Sequence, residues 1–154
     1  MGEGSFGQVY LALFKENNSF VAIKQLHKAD LIRKDKIDAV MREKSTLQSL
    51  KGRPFIIDLK MSFMDTEHLY FVFENCKYGT LSNLITQKGK LEPRVAVFYA
   101  ACLIEGLQQC FDLKIMHRDF KPENILIDDN KHVKIVSQLI LLVNPNESLC
   151  LLLD

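Results

Sequence analysis

The segment that decides the fold reads HRDFKPEN, residues 117–124, and the apolar run Ile125–Ile127 follows it directly. Within six residues it places a carboxylate at Asp119, an ammonium group at Lys121 and a carboxamide at Asn124. Folds commonly present such reagents on a loop that a rigid element holds in position. The segment therefore predicts a loop of chemically active side chains beside a short buried strand.

The composition limits the classes of protein to which the chain could belong. Its 154 residues are enough for one ordinary domain. The 20 Lys and Arg residues nearly balance 19 Asp and Glu residues, which argues against a nucleic-acid partner or a polybasic membrane patch. No apolar run approaches the roughly 18 residues of a membrane span, and the four cysteines lack CxxC spacing. We therefore expect a soluble, cytoplasmic protein with reduced thiols.

A glycine-rich segment opens the sequence, with Gly2, Gly4 and Gly7 followed by Val9. Glycines at this spacing let backbone N–H groups approach phosphate oxygens without interference from a Cβ atom. The spacing alone also fits a glycine-rich hairpin turn or a dinucleotide-binding fold. Residues 9–13 have the composition of a strand, whereas the dinucleotide fold needs a helix there. In a fold where two strands flank such a glycine segment, a strand should also precede the glycines, so we predict that the first strand is truncated.

A lysine and a glutamate on apolar faces predict an ion pair. Lys24 lies in a predicted strand, residues 20–26, on the same face as Ala22. Glu43 lies on the apolar stripe of a helix predicted at about residues 34–50. An isolated buried charge is unfavourable, so each group needs the other, although Glu43 could instead border a solvated face. The stripe consists of Ile37, Val40, Leu47 and Leu50.

The remaining patterns predict a change from strands to helices. Two strands are predicted at residues 56–63 and 68–73, and a polar connector follows at 74–79. Thr80 can cap a helix at 81–88 that Gly89 ends, and Pro93 suits the first turn of a longer helix. A hairpin is predicted at 125–136. The apolar face expected for the longer helix consists of Ala96, Tyr99, Ala100, Leu103, Leu107 and Cys110.

Taken in order, these motifs resemble those of the protein kinases: the glycine loop, VAIK at 21–24, the helix acid, the connector and the catalytic loop. The resemblance implies an α+β, protein-kinase-like fold. It divides the chain into a small antiparallel-sheet lobe with one helix at 1–74, an incomplete helical large lobe at 75–136, and an apolar tail at 137–154. Residues 42–47, 53–56 and 69–71 resemble the AGC group most, and the phosphoinositide-dependent kinase in particular.

The resemblance also implies roles for individual residues. Asp119 would accept or orient the proton of a substrate hydroxyl, Lys121 would contact the moving phosphoryl group, and Asn124 would bind Mg²⁺. Lys24, held by Glu43, would bind the inner phosphates of ATP. Lys121 is typical of kinases whose protein substrates carry serine or threonine. The other residues expected to line the ATP site are Gly2, Gly4, Gly7, Val9, Ala22, Glu74, Cys76 and Leu126.

The sequence leaves the kinase pattern after Val136. Ser137 stands where the family has the aspartate of Asp-Phe-Gly, and apolar runs follow at 139–143 and 149–153. These runs could cover apolar surface left by missing helices, or they could be an accidental translation, which the abrupt break favours. The chain is thus expected to be a truncated serine/threonine kinase with little or no catalysis of its own. The alternatives are a non-catalytic, pseudokinase-like nucleotide-binding module and a fragment without a stable fold.

Overall fold

The computed structural model describes residues 7–136 and the backbone of residues 151–153. The predictions for Gly2, Gly4 and the first part of the tail, residues 137–150, lie outside the described residues. A short 3-10 turn at Pro122–Asn124 belongs to the catalytic loop. The other elements are β1 (Gln8–Phe14), β2 (Ser19–His27), α1 (Lys28–Arg33), α2 (Ile37–Ser49), β3 (Leu59–Met64), β4 (His68–Glu74), α3 (Leu81–Lys88), α4 (Pro93–Asp112), β5 (Ile125–Ile127), β6 (Val133–Ile135) and β7 (Leu151–Leu153).

A twisted sheet forms the first half of the fold, with the strand order β3-β4-β2-β1-β7. The first four strands pair antiparallel, which confirms the α+β prediction. β7 pairs parallel with β1, and Ala12 lies opposite Leu151. The sequence does not predict this pairing of the tail. β7 lies beside β1, on the side where a strand preceding the glycine loop would be expected.

Two helices accompany the sheet, whereas the sequence predicts one. The short α1 packs through the buried Leu31, and Arg33 forms an ion pair with Asp30 at 2.9 Å. The chain then turns through Asp35, whose φ is 51°, so α2 begins at Ile37 rather than near residue 34. Ile37 is exposed, unlike the other three residues of its predicted stripe.

The strand predicted to begin at residue 56 begins at Leu59 instead. Phe55 has a φ of 62° directly after Pro54, and Ile56 forms an isolated bridge with Ile135 of β6. The Ile135 N–H donates to Phe55 O at 2.7 Å, and the Ile57 N–H donates to Ile135 O at 3.1 Å. These hydrogen bonds connect the segment that precedes β3 to the β5–β6 hairpin, which follows the catalytic loop.

Both predicted helices of the second half are present. The hydroxyl of Thr80 accepts a hydrogen bond from the Asn83 N–H at 3.0 Å, and Gly89 ends α3 with a φ of 73°. Pro93 lies in the first turn of α4. Ala96 and Ala100 are exposed, however, so that part of the predicted face is wrong.

The buried face of α4 is centred on Gly106. A Cβ atom there would lie 2.7 Å from Ile135 Cδ1 and 3.1 Å from Phe55 Cβ. The helix therefore approaches β6 too closely for a larger residue. The buried residues of α4 are Tyr99, Cys102, Gly106 and Cys110.

The opposite face of α4 is apolar but open to solvent. Val97 and Ile104 are each 69% exposed, and Phe111 is 75% exposed. No helix within the described residues is both long and apolar enough to cross a membrane.

Candidate active site

The catalytic loop is anchored to the end of β6 on both sides. Nε2 of His117 donates to Val136 O at 2.7 Å, and the Val136 N–H donates to Asn124 O at 3.0 Å. These bonds follow from the buried hairpin. Asn124 lies directly before β5 and Val136 directly after β6, and the antiparallel pairing of the two strands brings these residues together. His117 therefore anchors the loop to β6.

The structure brings the three predicted catalytic side chains together. Nζ of Lys121 lies 2.8 Å from Oδ2 of Asp119. Nδ2 of Asn124 donates to the same Oδ2 at 2.8 Å and to the backbone carbonyl of Asp119 at 2.7 Å. The carboxylate is therefore fixed by one cation and one amide, although its side chain remains about one-fifth exposed. A group fixed in this way can orient a hydroxyl that enters from solvent.

Asn124 has the chemistry expected of a metal ligand. It is fully buried, and its Oδ1 has no hydrogen-bond partner among the described residues. A buried amide oxygen without a partner is unfavourable unless a cation or a water molecule occupies the space in front of it, and Mg²⁺ prefers oxygen ligands. Residues 7–136 contain no group of three or more His, Cys, Asp or Glu side chains that could hold a metal. Asn124 therefore fits one ligand position of a Mg²⁺ site, and the described residues do not complete that site.

Lys24 is a buried charged residue of β2. Its side chain is only 2% exposed, and burial lowers its pKa from 10.5 to about 8. The nearby Glu43 carboxylate acts in the opposite direction and favours the ammonium form. This interaction agrees with the predicted pairing of Lys24 and Glu43. The lysine is destabilised in the folded protein, so an anionic ligand would relieve its unfavourable position.

An apolar cluster surrounds this lysine and contains four of the residues predicted to line the ATP site. Ala22 is buried in the cluster, and Val9, Cys76 and Leu126 pack against it. Val136 belongs to the same cluster, so the cluster reaches the catalytic loop. Burial raises the pKa of Cys76 to about 12, which keeps its thiol neutral. The cluster joins sheet and hairpin residues into one apolar group, and small-molecule sites are typically lined mostly by apolar side chains.

The connector is held by a network that the sequence does not predict. Oε1 of Glu74 accepts a hydrogen bond from the Asp58 N–H at 2.8 Å and lies 2.9 Å from Nζ of Lys134. The Glu74 side chain therefore fixes the connector. The carbonyl of Cys76 accepts from the Gly79 N–H at 3.1 Å. A lysine between Val133 and Ile135 is the signal that could have indicated this ion pair.

Gly7 is the one glycine of the loop that the structure describes. A Cβ atom at this position would lie 2.0 Å from the backbone oxygen of Gln25. Glycine is therefore required for β1 to approach β2 here.

Comparisons with known proteins agree with this arrangement. The model of the protein kinase domain family matches residues 1–137. Serine/threonine-protein kinase PKH1 of Saccharomyces cerevisiae is 38% identical over 88% of this chain and 18% of its own length. Serine/threonine-protein kinase N2 of Danio rerio is 39% identical over 88% of the chain and 14% of its own length. The cAMP-dependent protein kinase catalytic subunit of Arthrobotrys oligospora is 37% identical over 88% of the chain and 26% of its own length.

The chain thus spans about a quarter or less of the length of these relatives. Kinases of this family use ATP and Mg²⁺. A match over residues 1–137, together with the arrangement of Lys24, Asp119 and Asn124, shows that the chain belongs to the protein kinase domain family.

Proposed function

We propose that this chain carries the ATP-binding cleft and the catalytic loop of a serine/threonine protein kinase, which transfers the γ-phosphoryl group of ATP to a protein hydroxyl. The observation that supports this most directly is the fixed carboxylate of Asp119, which Lys121 and Asn124 hold at 2.8 Å. Phosphoryl transfer depends mainly on positioning and on charge stabilisation rather than on covalent chemistry. The fixed Asp119 supports the positioning, and the ammonium groups of Lys24 and Lys121 would contribute positive charge.

Asp119 accepts a hydrogen bond from the substrate hydroxyl and directs its oxygen toward the phosphorus atom. The partly exposed carboxylate is accessible to a peptide. Lys121 remains next to it and can follow the negative charge of the transferring group. Asn124 holds Asp119 through Nδ2 and leaves Oδ1 available. A Mg²⁺ ion bound there would stabilise negative charge on the phosphate oxygens.

The nucleotide lies in the cleft between the sheet and the hairpin. The adenine packs among Val9, Ala22, Cys76 and Leu126, which form a single apolar surface. Lys24 binds the phosphates and regains there the electrostatic stabilisation that burial removes. The glycine segment, of which Gly7 is described, covers the phosphates.

Within the family we propose membership of the AGC group, nearest to the phosphoinositide-dependent kinase. Residues 42–47, 53–56 and 69–71 support this subfamily, as does the similarity to a cAMP-dependent catalytic subunit. The proposed division is a small lobe at 1–74, a partial large lobe at 75–136 and a tail at 137–154. We also propose a cytoplasmic location, based on four scattered cysteines without CxxC spacing.

Ser137 favours a second candidate function, a nucleotide-binding module without catalysis. A neutral hydroxyl is a weaker Mg²⁺ ligand than a carboxylate. Charge stabilisation by the metal contributes several kcal/mol, and about 1.4 kcal/mol corresponds to a factor of ten in rate. We therefore expect the chain to transfer phosphate at least about a thousandfold more slowly than an ordinary kinase.

Transfer of radiolabelled phosphate from ATP to a mixed serine/threonine peptide substrate tests the proposal. Ser137→Asp restores the carboxylate, and Asp119→Asn in that background is the matched control. Kinase function predicts that Ser137→Asp increases transfer and that Asp119→Asn abolishes the increase. Nucleotide binding without any transfer in Ser137→Asp would instead support the non-catalytic module.

A further inference from the structure

A groove of about 790 Å³ lies at the end of β5 farthest from Asn124. It is bounded by α3, the α3–α4 turn, the first turns of α4 and the β5–β6 turn. Its floor is apolar, and most of the floor residues belong to the cluster that buries Tyr99. The floor residues that matter here are Leu84, Leu91, Val95 and Ile127.

The rim of this groove is positively charged. Lys88 and Lys90 lie on either side of Gly89 at the end of α3, and Lys131 lies in the β5–β6 turn. Glu92 is the single acidic residue among those that line the groove. All four side chains are exposed. The charged residues of the rim therefore comprise three cations and one anion, and two separate segments of the chain contribute them.

We propose that this surface, which we name the lysine groove, docks an extended acidic segment of a partner protein. The segment would place leucine-like side chains on the floor and Glu or Asp side chains against the rim. Charge complementarity supports this occupant, because opposite potentials across an interface steer association and fix register. The lysines come from two separate elements, so acidic groups on both sides of an apolar anchor fit them better than one carboxylate of a small molecule.

The lysine groove lies close to the catalytic loop along β5. Asn124 and Ile127 are three positions apart along the chain, which corresponds to about 10 Å in a strand. A docked partner would thus be held near Asp119, and a serine or threonine beside its acidic segment would be presented to the catalytic loop. This consequence rests on the proposed kinase function, whereas the docking does not.

Fluorescence polarisation of a fluorescein-labelled peptide that alternates Glu and Leu tests the docking on the full chain without nucleotide. The test variant is Lys90→Glu/Lys131→Glu. The matched control is Lys36→Glu/Lys51→Glu, which makes the same charge change at exposed lysines near the two ends of α2. We expect the groove variant to bind at least about tenfold more weakly and the control to bind about as well as the parent chain. Added salt should weaken binding to the parent chain.

A second variant addresses the floor. Val95→Trp fills the apolar part of the lysine groove and should also weaken the peptide, and circular dichroism verifies that each variant is folded. The proposal would be overturned if the Glu-Leu peptide bound equally well to the groove variant and to the control variant. It would also be overturned if a peptide that alternates Lys and Leu bound the parent chain as well as the Glu-Leu peptide does. Saturable binding of laurate with no binding of the acidic peptide would overturn it as well, and so would self-association of the chain that the groove variant abolishes. Because the assay contains no ATP, its failure leaves the kinase proposal untouched.

Discussion

Replacing Lys24 by methionine should make the chain more stable at neutral pH while it removes the phosphate contact. The side chain is 2% exposed, and burial decreases its pKa from 10.5 to about 8. Each pKa unit corresponds to about 1.4 kcal/mol, so keeping the ammonium group charged costs the folded state about 3 kcal/mol at pH 7. Methionine has a similar length and no charge to bury.

The pH dependence follows from the same shift. Below pH 8 the lysine is protonated in both states, and the full cost is present. Between pH 8 and 10.5 the unfolded chain binds more protons than the folded chain, so the stability of the parent protein rises with pH. The advantage of Lys24→Met should therefore be constant below pH 8 and disappear by about pH 10.5.

Urea denaturation followed by circular dichroism at a series of pH values measures this effect. We expect Lys24→Met to gain about 1 to 3 kcal/mol at pH 7, because losing the attraction between the Lys24 ammonium and the half-buried Glu43 carboxylate offsets part of the gain. Adding Glu43→Gln to Lys24→Met should recover more of the expected gain in stability. Lys36→Met, at an exposed lysine, is the control and should change little. A Lys24→Met chain that is less stable than the parent at pH 7, or whose advantage persists at high pH, would refute the reasoning.

Three further predictions concern the glycine segment and the connector. Gly7→Ala should cost about 1 to 3 kcal/mol in urea denaturation, because its Cβ would meet a backbone oxygen at 2.0 Å. Alkylation of Cys76 by iodoacetamide at pH 8, followed by mass spectrometry, should be about a thousandfold slower than that of a free cysteine, because its pKa is about 12. Glu74→Gln should cost about 1 to 3 kcal/mol, since it leaves the largely buried ammonium of Lys134 without its carboxylate.

Each of these predictions has a control or an outcome that contradicts it. Gln8→Ala, at the next and exposed residue, should leave stability nearly unchanged, and an equal loss would remove the special role of Gly7. Alkylation of Cys76 at the rate of free cysteine would show that the cluster is open to solvent. Lys134→Gln added to Glu74→Gln should recover part of the lost stability, and full additivity of the two losses would argue against the ion pair.

The sequence predicts local features of the site well. The two-residue period of a strand is enough to place Ala22 and Lys24 on one face, and the structure buries both. The spacing of Asp119, Lys121 and Asn124 predicts a compact loop, and their side chains meet at 2.8 Å.

Features that depend on contacts between distant segments could not be predicted in this way. Alanine is tolerated both in a core and on a surface, so periodicity misplaced Ala96 and Ala100 and missed Gly106. The ion pair of Glu74 with Lys134 joins two strands that are 60 residues apart in the sequence. The pairing of β7 with β1 likewise depends on chain ends that are distant in sequence.

Titration with a fluorescent ATP analogue tests the central claim most directly. The parent chain should bind the analogue, and binding should be displaced by ATP. Lys24→Met should bind about tenfold to a hundredfold more weakly, since a charged hydrogen bond to phosphate contributes about 1.5 to 3 kcal/mol, and its expected higher stability excludes unfolding as the cause. Ala22→Phe should block the adenine position in the apolar cluster. Unchanged affinity in both variants would contradict the assignment of this cleft as the kinase nucleotide site.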